Sequence, residues 1–239
     1  MPILALLFLL LLPLNSWAAI ALDGTPTGTT GTSVSSLTWS FTCTTGSVYL
    51  VSVGNLGNGA NTITSVTYNS VTLTELYQGD NSGVEAKLGL YMAVTGCDGA
   101  AHNIVATISA SGGGYMSGGA AAYSGVVTSS VAAAHRTVYN GGDAGGGGTV
   151  TVTDSASGDY VVAGIAGYNG TLTATGTSRV LNTGVGGGNY NNGLQDYAAS
   201  GASTVTSWTS PTFFTQAATA LIPGASGSET FGFRLRLRQ

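Results

Sequence analysis

The chain has 239 residues, of which 43% are hydrophobic and only 7% are charged, whereas about 25% are charged in a typical soluble domain. The formal net charge of −4 offers phosphate groups no basic field, which argues against a nucleic-acid partner. The 38 glycines do not recur at every third position, which excludes collagen. Together with Thr, Val and Tyr they indicate short strands joined by tight turns.

The N-terminal segment has the pattern of a secretory signal peptide. Residues 3–14 form an apolar run, ILALLFLLLLPL, which is shorter than the ~20 residues that span a bilayer. Two small-residue cleavage patterns follow it, Ser16-Trp17-Ala18 and Ala19-Ile20-Ala21. The segment before the run has no Lys or Arg, which departs from the usual pattern, and an uncleaved N-terminal anchor is the alternative.

We therefore expect residues 1–21 to be a signal peptide that is removed, so that the mature chain starts near Ala19 or Leu22 and has no transmembrane span. This predicts a secreted protein, either extracellular or at the cell surface. An oxidising compartment lets Cys43 and Cys97 form a disulfide, and their spacing fits neither a metal site nor a CxxC motif.

The predicted disulfide also follows from strand direction. If the strands between the two cysteines run antiparallel as a meander, both residues lie at the same end of the sandwich. A Greek-key crossover between these strands would separate the two ends, and the pairing would then not follow from direction alone.

Residues 22–222 predict one β-sandwich domain without an internal boundary. Apolar Leu37, Trp39 and Phe41 alternate with polar residues, as in a strand that buries one face. Asn69-Ser70 lies between two such runs and predicts a two-residue hairpin turn. About ten to thirteen short strands of this kind predict an all-β, antiparallel, jelly-roll-like sandwich with Trp39 and Trp208 in its core.

Two further expectations concern single segments. A strand that starts near Val84 is expected to bury its even-numbered residues and to expose Glu85, Lys87 and Tyr91, with Glu85 and Lys87 forming a surface ion pair. The Gly-rich segments are expected to be loops. They are SGGGYMSGG (111–119), GGDAGGGG (141–148) and GVGGGNYNNG (184–193).

Several segments resemble Gly/Thr-rich β-sandwich modules of bacterial secreted and phage-associated proteins. The resemblance implies the sandwich fold and a structural or adhesive role over residues 27–222, because the order and spacing of the segments match those modules. It implies no site residue, since the group has no established activity. The segments are VTYNSVTLT (66–74), LGLYMAV (88–94), AHNIVATIS (101–109), GAAAYSGVV (119–127), GDYVVAGIAG (158–167) and TSWTS (206–210).

The sequence offers few residues for catalysis. A glycoside hydrolase usually needs two carboxylates that face one cleft, and the chain has Glu only at positions 75, 85 and 229. There is no G-x-S-x-G motif, and His102 and His135 are expected at the surface. We therefore expect no catalytic, cofactor-binding or metal residue and no enzyme activity.

Asp80, followed by Asn81 in a Gly-containing segment, leaves a structural calcium ion open, with a turn-capping role as the alternative. Asp143 and Asp159 are interpreted as turn-capping residues in the same way.

Glycan binding without catalysis is a further hypothesis. Sugars stack on exposed aromatic rings beside amide side chains, and Tyr168, Asn169, Tyr190 and Asn191 offer these residue types in segments expected to be loops. Tyr77 and Tyr115 are weaker candidates. The alternative is that each tyrosine covers an edge of the sandwich.

The C-terminal segment 223–239 is expected to be a tail or an extra amphipathic strand. In FGFRLRLRQ the aromatic and leucine residues alternate with three arginines. Such a strand can add to a neighbour's sheet edge and cause self-association, or lie on an anionic surface. A disordered tail is the alternative.

These observations favour a non-enzymatic, structural or adhesive extracellular protein with a glycan or another cell-surface component as its partner. A carbohydrate-binding module that uses the tyrosines is the first alternative. A divergent secreted glycoside hydrolase is the second.

Overall fold

A computed structural model describes residues 17–56, 61–80, 86–109, 114–144, 148–185, 190–209 and 213–225. Within these ranges it has seventeen strands and one helix of four residues, and every strand pair is antiparallel. The predicted all-β antiparallel fold is confirmed, whereas ten to thirteen strands are too few. Most of the predicted leader and the predicted amphipathic strand at 231–239 lie outside the described residues.

The chain forms two halves that meet near residue 126. The first half has nine strands: β1 (Ala21–Thr32), β2 (Ser36–Thr42), β3 (Val48–Leu56), β4 (Ile63–Tyr68), β5 (Val71–Thr72), β6 (Thr74–Asp80), β7 (Ala86–Ala93), β8 (Ala101–Ile108) and β9 (Tyr115–Ser124). The second half starts with helix α1 (Val131–Ala134). Its strands are β10 (Tyr139–Ala144), β11 (Gly148–Val152), β12 (Tyr160–Tyr168), β13 (Thr173–Ala174), β14 (Thr177–Val185), β15 (Tyr190–Ala198), β16 (Thr204–Thr209) and β17 (Phe213–Leu221).

Each half is a sandwich of one five-stranded sheet and one smaller sheet. The sheets of the first half have the orders β1-β9-β3-β7-β6 and β2-β8-β4-β5, and those of the second half β10-β17-β12-β15-β14 and β11-β16-β13. In both halves the first strand pairs with the last and the second strand pairs with the next to last. This nested pairing is that of a jelly roll.

The four sheets are stacked, with the two five-stranded sheets inside. A first core layer lies between the sheets of the first half and contains Trp39 and Val51. A second layer lies between the two inner sheets, with Leu50 from one half and Leu194 from the other. Smaller clusters lie between the sheets of the second half. The predicted range 22–222 thus holds two sandwiches that share a core layer.

The inner sheets of the two halves have the same strand arrangement, and their central strands pair in the same register. Strands β3 and β12 are both nine residues long, and each pairs with the last strand of its own half on one side and with β7 or β15 on the other. The edge strands even share a bulge, between Glu75 and Tyr77 in β6 and between Ser178 and Val180 in β14. The chain therefore contains two similar sandwiches, whose five-stranded sheets face each other and whose outer sheets have four and three strands.

The inner position of β7 changes one expectation. Leu88 and Leu90 are buried in the second core layer, as predicted for one face, but Tyr91 is buried in the first layer. The prediction that Tyr91 is exposed is wrong, because an inner sheet is covered on both faces. Lys87 lies with its Nζ 3.6 Å from Asp80 Oδ2, and Glu85, its expected partner, lies outside the described residues.

Local signals in the sequence are confirmed. Asn69 and Ser70 have φ values of 48° and 63°, as a type I′ hairpin turn requires. Trp39 and Trp208 are 7% and 1% exposed, so both tryptophans belong to the core.

Parts of the Gly-rich segments lie in strands, so their assignment as loops is wrong for those parts. Residues 115–119 belong to β9, 141–144 to β10 and 190–193 to β15. The glycines make room for rings: a Cβ at Gly118 would lie 2.6 Å from the Trp39 ring, and one at Gly193 2.8 Å from the Trp208 ring. A glycine in a strand can thus mark close packing rather than a loop.

The disulfide between Cys43 and Cys97 is confirmed, with a Cα–Cα distance of 5.1 Å. The meander used to predict it is wrong, because β2 and β3 lie in different sheets. Strand β2 instead pairs antiparallel with β8, with Thr42 opposite Ala101. Cys43 follows the end of β2 and Cys97 precedes the start of β8, so both cysteines lie at the same end of this sheet.

Candidate functional site

The structure brings Tyr168 and Tyr190 together. Tyr168 ends β12, Tyr190 begins β15, and the two residues are directly opposite in the ladder. Their ring centroids are 4.7 Å apart. Because Tyr168, Tyr190 and Asn191 belong to strands, their assignment to loops is wrong.

Two further rings extend this pair into an aromatic cluster of Tyr115, Tyr168, Tyr190 and Phe213. Tyr115 comes from the first half and lies 5.3 Å from the Tyr190 ring, while Phe213 lies 6.5 Å from the Tyr168 ring. All four residues are partly buried. The cluster joins the inner sheets of the two halves at one end, so much of its ring surface is used within the protein.

The two asparagines have different surroundings. Asn191 is 1% exposed and its Nδ2 donates to the Gly170 carbonyl over 2.9 Å. Asn169 is exposed, with a φ of 62° in the turn after β12. Of the four predicted glycan-binding residues, Asn169 and the outer edges of the two tyrosines are therefore the parts that a ligand can reach. Tyr77 is partly buried against the second core layer.

Every carboxylate whose side chain the structure describes has a partner within the protein. Asp159 shows the pattern: its Oδ2 accepts a hydrogen bond of 2.8 Å from Ala156 N, as predicted for a turn cap, and it is also paired with Arg136. The pairs are Asp23 with Thr44, Glu75 with Gln78 and Tyr91, Asp80 with Lys87, Asp98 with His102, Asp154 with Thr137, Asp159 with Arg136, and Asp196 with Arg179.

A buried polar network links the two halves through Asp196 on β15. Asp196 is fully buried, forms an ion pair with Arg179, and accepts hydrogen bonds from the hydroxyls of Tyr123, at 2.9 Å, and Tyr160, at 3.3 Å. Burial, together with the negative charge of Asp196, raises the pKa of Tyr123 well above its ordinary value. The hydroxyl therefore stays protonated and donates to the carboxylate. The sequence gives little sign of this network, since Asp196 and Arg179 are single charged residues in strands of mixed polarity.

A shallow recess lies where the described ends of the chain meet. Its volume is about 270 Å³, and it is lined by Trp17, Arg136, Ala156, Ser157, Asp159, Ile222 and Pro223. The indole of Trp17 is 65% exposed, whereas the Asp159 side chain is 2% exposed. The hydrogen bond from Arg136 to Asp159 raises the pKa of the arginine and holds its guanidinium in this recess.

The outward faces of the two outer sheets carry arrays of hydroxyl groups. On β2 the exposed residues are Ser36, Thr38, Ser40 and Thr42. On the opposite side of the stack, Thr149 and Thr151 of β11 lie beside Ser207 and Thr209 of β16, together with the exposed Val205. Along β2, β8, β11 and β16 no charged side chain points outward. These two surfaces are the outer faces of the stack.

The structure also describes part of the predicted calcium and turn-capping segments. Asp80 is the last residue of β6 rather than part of a loop, and it faces Lys87. Asn81 and the Asp143 side chain lie outside what the structure describes. Across the described residues, no group of three or more His, Cys, Asp or Glu side chains is arranged to hold a metal ion.

Comparison of the chain with protein-family models, with curated proteins and with solved structures gives no match. The class of protein is therefore defined by its fold, an all-β stack of two sandwiches with one disulfide. In the described part of the chain, no helix has the length and apolar character needed to cross a membrane.

Proposed function

We propose that the protein is a non-enzymatic extracellular module with a structural or adhesive role, and that it makes contact through the two outer faces of the stack. The observation that carries the proposal is the pair of uncharged Ser and Thr arrays on opposite sides of one packed body. Hydroxyl groups can hydrogen-bond to a glycan or another cell-surface component without desolvating a charge. Two opposed faces allow one molecule to bridge two surfaces.

Two further observations support this role. The described carboxylates, Asp196 and Asp159 among them, are engaged by partners within the protein, which leaves them poorly placed to act on a substrate. A disulfide is stable in the oxidising compartments that exported proteins occupy.

Retention on insoluble polysaccharide tests the proposal. The secreted protein is mixed with peptidoglycan, cellulose or chitin particles, and the bound fraction is measured. We expect retention on at least one of them. Thr38→Lys and Thr149→Lys each place a charge on one outer face, and we expect each variant to bind several-fold less. Ala202→Lys, in an exposed turn between β15 and β16, is the matched control and is expected to bind like the unchanged protein.

The result that contradicts the proposal is equal retention of all variants, or no retention on any particle or on the secreting cells. Melting temperatures of the three variants show whether a loss of binding reflects a loss of fold.

Carbohydrate binding by the tyrosines is the second candidate, supported by exposed Asn169 beside the partly exposed rings of Tyr168 and Tyr190. In a glycan-array screen, this candidate predicts a soluble oligosaccharide ligand whose binding is lost in Asn169→Ala and unaffected by Thr38→Lys. The glycoside hydrolase alternative gains no support, because the described carboxylates are paired within the fold.

A further inference from the structure

We propose that the leader is removed by hydrolysis of the Ala18–Ala19 peptide bond, so that the mature protein begins at Ala19 and not at Leu22. The inference rests on export, which is part of the proposed function. A signal peptidase of the exporting cell adds water across this bond, which leaves a carboxylate on Ala18 and an amine on Ala19. The sequence alone does not distinguish this site from cleavage after Ala21. Ser16 and Ala18 supply the small residues that the peptidase requires at the first site, and Ala19 and Ala21 supply them at the second.

The residues from Ala19 onward are part of the folded body. The backbone of Ala19 crosses directly over Gly125, where a side chain would collide with the Ala19 carbonyl group and where φ is +74°. Ile20 packs against the core layer between the two inner sheets. Ala21 is the first residue of β1 and pairs with Ser124. The Ser124 hydroxyl donates a hydrogen bond of 3.4 Å to the Ala21 carbonyl.

The two residues before this point are attached only loosely. Trp17 is 65% exposed and is held by an isolated bridge to Ala225. Ala18 contributes one hydrogen bond, from its N–H to the Gly224 carbonyl at 3.0 Å. Cleavage after Ala18 therefore removes an exposed indole and one edge contact.

Cleavage after Ala21 has a larger structural effect, because it removes Ile20 from the core and the first paired residue from β1. Of the two candidate cleavage sites, the Ala18–Ala19 bond is thus the one that precedes the packed part of the chain. Cleavage at the first site also uncovers the recess around Arg136 and Asp159, since Trp17 forms one of its walls.

Intact-mass measurement of the secreted protein tests the proposal, with the full chain expressed in a secreting bacterial host. We expect a mass that corresponds to Ala19–Gln239. A matched pair of variants places a bulky residue at the position before each bond. Ala18→Leu is expected to block processing or to move it to Leu22, whereas Ala21→Leu, at an exposed position, is expected to leave the start at Ala19.

A start at Leu22 in the unchanged protein, retention of Met1 in the secreted protein, or a block by Ala21→Leu alone overturns the proposal. The effect on stability is measured separately, with purified chains that begin at Ala19 and at Leu22. We expect the shorter chain to melt about 3–6 °C lower, and equal melting temperatures would remove the structural reason for the choice. Because neither readout involves adhesion, failure of polysaccharide binding leaves the result for the cleavage site unaffected.

Discussion

The Tyr123 hydroxyl of the first half donates a hydrogen bond of 2.9 Å to the Asp196 carboxylate of the second half, and both side chains are fully buried. Arg179 supplies the opposite charge. In the equivalent register of the other half, Tyr123 corresponds to Leu221 and Asp196 to Met92. The polar contact therefore exists on one side of the interface only, and it distinguishes the native pairing from other arrangements of two similar sheets.

Replacing Asp196 with alanine is expected to lower the free energy of unfolding by about 3–5 kcal/mol. The substitution leaves the partly buried Arg179 without its counter-charge and the hydroxyls of Tyr123 and Tyr160 without their acceptor. Denaturant unfolding measures the change. The control is Asp98→Ala, which removes an exposed contact with His102 and is expected to move the midpoint little.

The same network can be replaced by the residues of the other half. A triple variant with Asp196→Met, Arg179→Leu and Tyr123→Leu takes the apolar identities found at the equivalent positions. We expect it to recover most of the stability lost in Asp196→Ala, because well-packed apolar residues often substitute for a buried ion pair without loss. If the triple variant is as unstable as Asp196→Ala, the two sides of the interface are not equivalent in packing.

Two buried tyrosines are expected to respond in opposite directions to the loss of a hydroxyl group. The Tyr49 hydroxyl is buried and has no hydrogen-bond partner among the described residues, whereas the Tyr123 hydroxyl donates to Asp196. Tyr49→Phe is expected to stabilise the protein by about 1 kcal/mol, and Tyr123→Phe to destabilise it by about 1–3 kcal/mol. Denaturant midpoints of the two variants check this, and a shared sign would contradict it.

Alkaline pH is expected to unfold the protein through these tyrosines. Burial, and to a smaller extent the neighbouring Tyr68, raises the pKa of Tyr49 above its ordinary value, and burial beside Asp196 does the same for the pKa of Tyr123. A group whose pKa is higher in the folded state stabilises the fold below its unfolded pKa, about 10 for tyrosine, and loses that contribution as pH rises further. Unfolding free energies measured from about pH 8 to 11 should fall above about pH 10, and less steeply in Tyr49→Phe.

Short-range sequence signals predicted much of the fold. The Asn69-Ser70 turn and the alternation around Trp39 depend on a few neighbouring residues. The Cys43–Cys97 disulfide followed from the presence of only two cysteines in an exported chain, although the meander argued for it was wrong. The near-continuous apolar run VYLVSV at 48–53 is buried on both faces. It indicates an inner sheet, but it does not specify a stack of four sheets.

The similarity of the two halves and the polar network could not be predicted, because many equivalent positions differ in residue identity. Asp196 corresponds to Met92, and Arg179 takes the bulge position that Leu76 has in the first half. The residues predicted for the glycan site were assigned to the wrong kind of segment. Tyr190 follows glycines that suggested a loop, whereas it begins a strand. Which glycines face a ring is a property of the packed sheets and not of the local sequence.

The disulfide is expected to contribute about 4 kcal/mol to stability in the chain-entropy description, since it joins residues 54 positions apart. Unfolding in denaturant with and without a reductant, or of a Cys43→Ala, Cys97→Ala double variant, measures this contribution. Detection of two free thiols per chain in unfolded, unreduced secreted protein would show that the bond does not form during export.

Gly118 is expected to be one of the least tolerant positions of the inner sheets, although its strand is regular. A Cβ there would lie 2.6 Å from the ring of Trp39, which is buried in the first core layer and cannot move outward. Gly118→Ala is expected to destabilise the protein by about 1–3 kcal/mol through overpacking, as measured by denaturant unfolding. In a Trp39→Phe background the same substitution should cost less, because the smaller ring leaves room for the added methyl group. An equal cost in both backgrounds would mean that the strain arises from the backbone of β9 and not from the contact with Trp39.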